Sequence, residues 1–294
     1  MGNAAMPGRF ELKTMALDSF RIRSAQPALV AAVLACMLLS GGTAAQNGRP
    51  RGGQQPARQP PATRSSPDVP SPAAVPFRAG ERLAFRVLWS KYAVHAARLE
   101  LSVVERRNFF GRAAWHFRAM AHTMDTIRLL YSLDDQFDSY TDAIRLTSLQ
   151  YEMYLREQGK QQTDIWRMKT AGDPAPPNVA TARVLPGTRD PLGLLYALRA
   201  ADWNRDPELR APVFDGHNLY EIVARREESS GPVTVPAGQF AASRISVRVF
   251  RRGEELNGTG FSVWLAQDAA RTPVLIEAEV PFGTARVELT ASQF

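Results

Sequence analysis

The amino-acid sequence predicts an all-β fold, a mostly antiparallel sheet of barrel or roll type with one or two short helices, preceded by a disordered N-terminal linker. Three observations predict this class. Apolar and polar residues alternate with a period of two over many short stretches after Phe77, turn-forming residues separate those stretches, and one later segment has a helical period instead. Because alternation places successive side chains on opposite faces of a strand, each stretch can bury one face. We therefore expect a single β-rich domain over residues 77–294.

Residues 1–45 are typical of a secretory signal peptide. Arg21 and Arg23 precede a twelve-residue apolar run, residues 28–39, and small residues follow that run up to Ala45. The run is short for a membrane-spanning helix, and the order of basic, apolar and small residues is that of a cleaved signal. The sequence therefore predicts cleavage after Ala45 and an exported protein, either periplasmic or secreted.

Residues 46–76 are expected to form a disordered, proline-rich linker. They contain eight prolines and no aromatic residue, a composition that cannot bury enough apolar surface to offset the entropy of ordering.

Of the formal net charge of +7, little belongs to residues 77–294, which hold 28 basic and 26 acidic side chains. Phosphate binding needs clustered Lys and Arg, so we expect no nucleic-acid partner. Cys36, the only cysteine, lies within the apolar run, and the mature chain would have no disulfide.

The strands are expected in a regular order along the body. Residues 83–89, 97–104 and 115–121 alternate in the manner of a three-stranded meander. Eight further strands are predicted at residues 149–155, 162–168, 179–184, 220–226, 240–249, 261–265, 274–280 and 285–290. Turn-forming residues separate most of these strands, for example Asp215-Gly216, Pro236-Ala237-Gly238 and Pro281-Phe282-Gly283.

One segment predicts a helix. Asp190 can cap it, Pro191 is tolerated at the first helical position, and the apolar residues from Leu192 to Leu198 fall near one face, before Arg199. Residues 125–133 fit either a second short helix or the start of another strand, and the sequence does not decide between them.

Recognisable catalytic and metal-binding patterns are missing from the sequence. The four histidines fit no metal spacing: His95, His116, His122 and His217. His116 and His122 share a strand face opposite Trp115, so we expect them to face solvent. The clustered acids lack the glycine and the closing glutamate of a calcium loop and are expected at solvated strand and turn positions: Asp134, Asp135, Asp138 and Asp142. No serine elbow or phosphate-binding glycine fingerprint is present, so we expect no catalytic residue, metal or cofactor.

Six aromatic residues on predicted strands are the candidate ligand contacts: Phe85, Trp89, Trp115, Phe117, Trp166 and Trp264. Small barrels either fill their interior with side chains or enclose a ligand. The six residues therefore have two interpretations, as a packed core or as the lining of a cavity for an apolar or lipid-like ligand.

Five short stretches, in the same order, resemble the bacterial family named domain of unknown function 3108. They are Gly80-Glu81-Arg82-Leu83-Ala84-Phe85-Arg86-Val87, Ser139-Tyr140-Thr141-Asp142, residues 190–199, Val235-Pro236-Ala237-Gly238-Gln239-Phe240, and Trp264-Leu265-Ala266-Gln267-Asp268 leading to Pro273-Val274. One departure is Ala96-Ala97, where the first hairpin of the family usually carries a glycine.

The resemblance implies an exported, mostly β protein of Gram-negative envelopes, with no assigned activity and no catalytic residue to transfer. It also implies structural roles for a set of residues: Gly80, Glu81, Asp190, Pro191, Arg199, Gly238, Trp264 and Asp268. The function we expect is a non-enzymatic envelope factor that binds an apolar or lipid-like ligand or an envelope protein. The alternatives are a structural or protein–protein contact module of the envelope and, third, a hydrolase of cell-wall or lipid material.

Overall fold

The computed structural model describes residues 75–89, 94–170, 179–228, 231–280 and 283–294. The expected signal peptide, and all but the last two residues of the expected linker, lie outside these ranges. No helix within them has both the length and the hydrophobicity that a membrane span requires.

Strands account for most of the described residues. In chain order they are β1 (Arg82–Trp89), β2 (Val94–Phe109), β3 (Arg112–Thr123), β4 (Asp134–Asp142), β5 (Ser148–Glu157), β6 (Lys160–Lys169), β7 (Ala180–Arg183), β8 (Glu208–Phe214), β9 (Leu219–Arg226), β10 (Pro232–Val235), β11 (Gly238–Arg251), β12 (Glu254–Glu255), β13 (Phe261–Ala266), β14 (Pro273–Val280) and β15 (Gly283–Gln293). Two helices interrupt them, α1 (Asp125–Arg128) and α2 (Pro191–Ala200). The undecided segment at residues 125–133 therefore begins as a short helix.

The strands form one mostly antiparallel sheet that does not close on itself. Its order is β7-β6-β5-β4-β3-β2-β1-β15-β14-β13-β11-β9-β8, while β10 and β12 pair with β11 outside this path. The pairing of β6 with β7 is parallel. The prediction of an all-β, barrel-like fold is confirmed, with a curved open sheet in place of a closed barrel.

The helix α2 lies inside the curve of this sheet. It contacts β3, β4 and β8, and eight of its ten residues are buried. A helix that is apolar on all sides is stable only when protein surrounds it. The residue before its cap also forms an isolated bridge from Arg189 to Val213 of β8. As a result, α2 and its entry segment occupy the space that an empty barrel would leave open.

A β-bulge explains how the first hairpin accommodates Ala96. In the pairing of β1 with β2, Val87 lies opposite Ala97 and Leu88 lies opposite His95, so Ala96 is the extra residue. Its side chain is fully buried, and its carbonyl oxygen accepts a hydrogen bond from the backbone N–H of Met124 at 3.0 Å. The bulge thereby joins this end of β2 to the segment that follows β3.

Candidate functional site

The most exposed large apolar side chains of the described residues lie in the segment between β3 and β4. This rim loop, residues 124–133, includes α1. Leu129 and Leu130 are 89% and 80% exposed, respectively. Full exposure of two adjacent leucines is unfavourable in water, because each would gain roughly 1.5–3 kcal/mol from burial. The pair is therefore the candidate contact surface of the described residues.

Hydrogen bonds hold the half of the rim loop that leads into β4. Arg128 donates two bonds to the carboxylate of Asp134, at 2.7 and 2.6 Å. The backbone N–H of Gln158, in the β5–β6 turn, donates to the carbonyl of Ser132 at 2.9 Å, and its side chain donates to the carbonyl of Leu130 at 3.0 Å. The exposed leucines are thus presented by a fixed loop.

Further apolar residues lie at the same end of the sheet. β1 ends here at Trp89, which pairs with Val94 at the start of β2, and β2 is joined to the rim loop through Ala96. Leu88, Trp89 and Val94 are half-buried. We call Leu88, Trp89, Val94, Leu129 and Leu130 the apolar rim.

Two carboxyl groups lie beneath the rim loop. Tyr131 packs its ring against the core and donates its hydroxyl to Glu157 Oε2 at 2.7 Å, while the other oxygen of Glu157 is buried without a hydrogen-bond partner among the described residues. Asp135 is 2% exposed and accepts a bond from the backbone N–H of Arg156 at 2.9 Å. Burial, together with the neighbouring Glu157 carboxylate, raises the pKa of Asp135 to about 7.

Three of the six candidate aromatic residues are packed in the core. Phe85, Trp115 and Phe117 are 2%, 8% and 0% exposed, respectively. The ring of Phe117 stacks on Tyr196 of α2 with centroids 3.7 Å apart, and Phe77 meets both rings edge-on. At these positions the helix fills the space beside the aromatic side chains.

The other three aromatic residues lie apart from one another. Trp89 is part of the apolar rim. Trp166 is half-buried on β6 and meets Phe214 edge-on, with centroids 5.7 Å apart. Trp264 lies between the buried residues of β13, on the opposite face of the strand, where the Arg244 guanidinium is 5.1 Å from its ring. Five of the six residues therefore belong to or pack against one apolar core, and Trp89 lies at the rim. Three surface pockets of about 430, 340 and 400 Å³ are lined by other residues.

Glu81 and Arg199, two residues of the resemblance, form a buried ion pair. Each side chain is 1% exposed, and the guanidinium donates two bonds to the carboxylate, at 2.6 and 3.0 Å. Arg199 also donates to the carbonyl of Ala270 at 3.0 Å. The pair connects the C-terminal turn of α2 to the start of β1 and to the β13–β14 turn.

The remaining residues of the resemblance lie at a helix start, at a strand start and in turns. Asp190 is the N-cap of α2, with its side chain accepting a bond from Gly193 N at 2.7 Å, and Pro191 is the first helical residue. Gly80 and Gly238 have φ values of 90° and 135°, which favour glycine. Asp268 is exposed in the turn after β13.

The expectation of solvent-facing residues is wrong for His116, Asp135 and Asp138. His116 is 5% exposed and Asp138 is 1% exposed. His116 Nε2 lies 2.5 Å from Asp138 Oδ1, and Arg118 donates to the same oxygen at 2.8 Å. His116 and Asp138 do lie on the face opposite Trp115, but cross-strand hydrogen bonds pack them against Arg118 and exclude water. Asp135 instead pairs with Ala121 on the inner face, where the core covers it. The pKa of Asp138 is lowered by its bonds to His116, Gln136 and Arg118, which outweigh the effect of burial.

Sequence reasoning missed the rim loop and the two carboxyl groups beneath it. A signal for the loop existed, since Leu129 and Leu130 stand side by side between two strands and fit neither alternation nor a helical stripe. The two carboxyl groups had no such signal, because the positions of Asp135 and Glu157 beneath the loop depend on contacts between distant segments, such as the bridge of Leu133 to Glu157 and the bond of Asp135 to the backbone of Arg156. Among the described residues, no group of three or more His, Cys, Asp or Glu side chains could hold a metal ion.

Solved structures resemble this chain at low sequence identity. A beta-barrel-like protein of domain of unknown function DUF1849 from Brucella abortus has a TM-score of 0.44 and 9% identity, covering 74% of this chain and 98% of that one. A candidate exported protein with a YmcC-like fold from Bacteroides fragilis has a TM-score of 0.32 and 12% identity, covering 75% and 98%. A candidate lipoprotein from Parabacteroides distasonis has a TM-score of 0.35 and 11% identity, covering 74% and 97%.

No curated protein matches the sequence. The resemblance drawn from the five stretches is confirmed, because the model of the family described as protein of unknown function (DUF3108) matches residues 84–290, and the chain belongs to that family.

Proposed function

We propose that this chain is an exported, non-enzymatic factor of the cell envelope that contacts lipid through its apolar rim. The observation that carries the proposal is the exposure of Leu129 and Leu130 on a loop held in place by hydrogen bonds. Export follows from the basic, apolar and small-residue order of residues 1–45.

Lipid fits the size of this surface better than a folded protein partner does. A stable protein interface buries on the order of 1,600 Å² in total, whereas the apolar rim offers two protruding leucines and three half-buried neighbours. A small apolar protrusion with an aromatic residue at the same end of the sheet is an arrangement that suits the interfacial layer of a bilayer. Trp89 is the one candidate aromatic residue that this proposal retains as a ligand contact.

Fixing the loop favours binding. An ordered protrusion does not lose loop entropy when it meets its partner, so more of the burial energy of the leucines contributes to affinity. The bidentate bond from Arg128 to Asp134 and the two bonds from Gln158 supply this order before binding.

Vesicle flotation tests the proposal. The purified chain is mixed with vesicles of phosphatidylethanolamine and phosphatidylglycerol, and the fraction that floats is measured for the wild type and for a Leu129→Ser, Leu130→Ser double variant. We expect the variant to bind at least about tenfold more weakly, since loss of about 1.4 kcal/mol is sufficient for that change. Leu185→Ser is the matched control, because Leu185 is 56% exposed and follows β7, at the opposite end of the sheet.

Two outcomes would overturn the lipid assignment. In one, the wild type stays with the soluble fraction at every lipid concentration, which would leave the contact-module alternative. In the other, the double variant and the Leu185 control float equally well. Export is checked on the same protein by N-terminal sequencing of the envelope fraction, where Gln46 is the expected first residue.

A further inference from the structure

The β2–β3 hairpin ends in a turn that exposes an aromatic side chain. Its two turn residues, Phe110 and Gly111, both have positive φ values, 50° and 79°. This geometry favours Asn-Gly or Asp-Gly, because a bulky side chain at a positive φ is strained. The β5–β6 and β11–β12 turns also have positive φ values and place polar residues at that position, Gln158 and Arg252. Phe110 is 65% exposed, so neither the turn nor the core requires a phenylalanine here.

Exposed arginines surround this aromatic side chain. Three of them belong to the hairpin itself. The β4–β5 turn lies beside the hairpin, because the backbone N–H of Ala143 donates to the carbonyl of Ala113 at 2.8 Å, and this turn exposes one apolar and one basic residue. We call the exposed basic and apolar residues of the two turns the basic end: Arg106, Arg107, Phe110, Arg112, Ile144 and Arg145.

The basic end has an excess of positive charge. Residues 105–112 and 142–147 contain four arginines and two carboxylates, Glu105 and Asp142. Glu105 Oε1 lies 3.2 Å from Arg107 Nε. Asp142 Oδ1 accepts hydrogen bonds from two backbone N–H groups of its own turn, at 3.0 and 2.9 Å. The excess is local, because the domain as a whole is nearly neutral.

We propose that the basic end is a second membrane contact, which binds the anionic surface of a phospholipid bilayer. The Phe110 and Ile144 side chains enter the interfacial layer, and the arginines bind lipid phosphates. This inference rests on the proposed function, in which the chain meets lipid, and adds to it a preference for anionic headgroups.

The surroundings of the Phe110 ring favour a bilayer over a ring-shaped ligand. The guanidinium of Arg167, on β6, lies over this ring at 4.0 Å from its centroid, and Phe109 meets it edge-to-face with centroids 4.7 Å apart. A sugar or a base would have to displace the guanidinium to stack on that face. The part of the ring that stays exposed suits the interfacial layer, where aromatic side chains lie among headgroups.

Arginine suits the polar half of this contact. Its planar guanidinium can donate two parallel hydrogen bonds to a phosphate, and each basic side chain close to an anionic surface adds to the attraction. A folded protein partner would need a much larger complementary surface than a hairpin tip and one adjoining turn. The charge and the small size of the basic end therefore favour a charged lipid surface.

The basic end and the apolar rim can contact the same bilayer. Phe109 of the hairpin stacks on Tyr140 with centroids 4.3 Å apart, and Arg128 of the rim loop bonds to Asp134. Asp134 and Tyr140 lie on the same outer face of β4, about 20 Å apart along the strand. Two contacts on one surface reinforce each other, because the second forms at a high effective concentration once the first has formed. Loss of either contact should therefore weaken the binding of the whole chain.

Vesicle flotation of the full chain tests the charge preference. One set of vesicles contains phosphatidylcholine alone, and the other contains phosphatidylcholine and phosphatidylglycerol. We expect the wild type to bind the second set at least about tenfold more tightly at low salt. The difference should shrink as salt is added, because salt screens exposed charges.

The Arg106→Gln, Arg112→Gln double variant should lose at least about fivefold in affinity for the phosphatidylglycerol vesicles and keep its affinity for phosphatidylcholine. The matched control is Arg205→Gln, Arg210→Gln. It removes the same charge from side chains that are 82% and 58% exposed, at the edge strand β8, and should keep the preference.

The Phe110→Asn variant separates binding from folding. Asparagine suits a positive φ followed by glycine, so the urea midpoint should stay the same or rise. The affinity for phosphatidylglycerol vesicles should fall at least about threefold, because a polar side chain does not enter the interfacial layer. A phenylalanine with a purely structural role would show the opposite result, a lower midpoint with unchanged binding, and would overturn its part in the contact.

The outcomes distinguish the two membrane contacts. Equal, measurable binding to both sets of vesicles, or an equal loss in the control variant, would overturn the basic end and leave the apolar rim standing. A preference that depends on Arg106 and Arg112, in a chain whose Leu129→Ser, Leu130→Ser variant binds as well as the wild type, would support the basic end and overturn the rim. Binding to neither set would overturn both.

Soluble polyglutamate tests the other class of anionic partner. If the Arg106→Gln, Arg112→Gln variant floats as the wild type does but no longer binds polyglutamate, the basic end binds an acidic polymer and the lipid assignment is overturned. Loss of flotation in that variant, in a chain that does not bind polyglutamate, would support the lipid surface.

Discussion

At the scale of single residues, Glu81 and Arg199 show how burial changes the value of an ion pair. Both side chains are 1% exposed, and the guanidinium also lies over the rings of Phe77 and Tyr196, at 5.5 and 5.2 Å. Removing two charges from water is costly, and the paired geometry offsets that cost only while both partners are present. The arrangement is therefore sensitive to the loss of one partner and tolerant of the loss of both.

We expect Arg199→Met to lower the free energy of unfolding by about 3–5 kcal/mol, because Glu81 would remain buried without a partner. The Glu81→Leu, Arg199→Met double variant should recover much of this loss. Arg210→Met is the control: Arg210 is 58% exposed, and its bond to Glu208 should be worth less than about 1 kcal/mol. Urea denaturation measures all three variants. A double variant as unstable as Arg199→Met would show that packing at this site matters more than charge.

At the scale of elements, the sequence predicts the strands that alternate and misses those that do not. β1, β3 and β11 have the predicted period of two, since each buries one apolar face. β4 carries acids on both faces. Its buried face is polar: Ser139 donates a hydrogen bond to Asp190, and the hydroxyls of Ser139 and Thr141 bond to each other. β8 contains Pro212, a residue that counts against a strand, and no strand was predicted there. In the structure it is tolerated because β8 is an edge strand.

The same physical limit applies to the candidate site. Local pattern fixes which face of a strand is apolar, but it does not show which distant strands become neighbours. The cap formed by Asp190 was predictable from local spacing, whereas its bonds to Ser139 and Ser148 depend on α2 lying inside the sheet. For the same reason, the six aromatic residues could be assigned to strands from sequence, but not to a shared cavity.

The tight packing of α2 gives a prediction at this scale. A Cβ at Gly193 would lie 2.8 Å from Ser148 Oγ and 3.1 Å from Thr141 Oγ1, closer than ordinary contacts. Although alanine favours helix by about 1 kcal/mol, we expect crowding to win and Gly193→Ala to destabilise the protein by about 1–3 kcal/mol. Gly231→Ala, where an added Cβ meets nothing within 4 Å, should change the urea midpoint little. A more stable Gly193→Ala would mean that the hydroxyls move aside.

At the scale of the whole molecule, the last strand of the chain occupies the middle of the sheet. β15 pairs with β1 on one side and with β14 on the other, so it joins the strands that precede α2 to those that follow it. One apolar cluster extends across both groups, from Phe77 to Leu289. The two halves therefore share a core and should unfold together, in a single transition.

Two truncations test this organisation and the expected domain boundary. A chain that ends at Phe282 lacks β15, so β1 and β14 would each lose a pairing strand, and the core would lose the buried side chains of Val287 and Leu289. We expect that chain to lose its cooperative urea transition.

A chain that begins at residue 75 keeps the described N-terminal residues and should unfold at the same midpoint as the full chain, because a proline-rich linker contributes no core. Circular dichroism and tryptophan fluorescence, followed in the same titration, would reveal any independent half. A cooperative transition that survives without β15, or a midpoint that falls when the linker is removed, would contradict the single domain over residues 77–294.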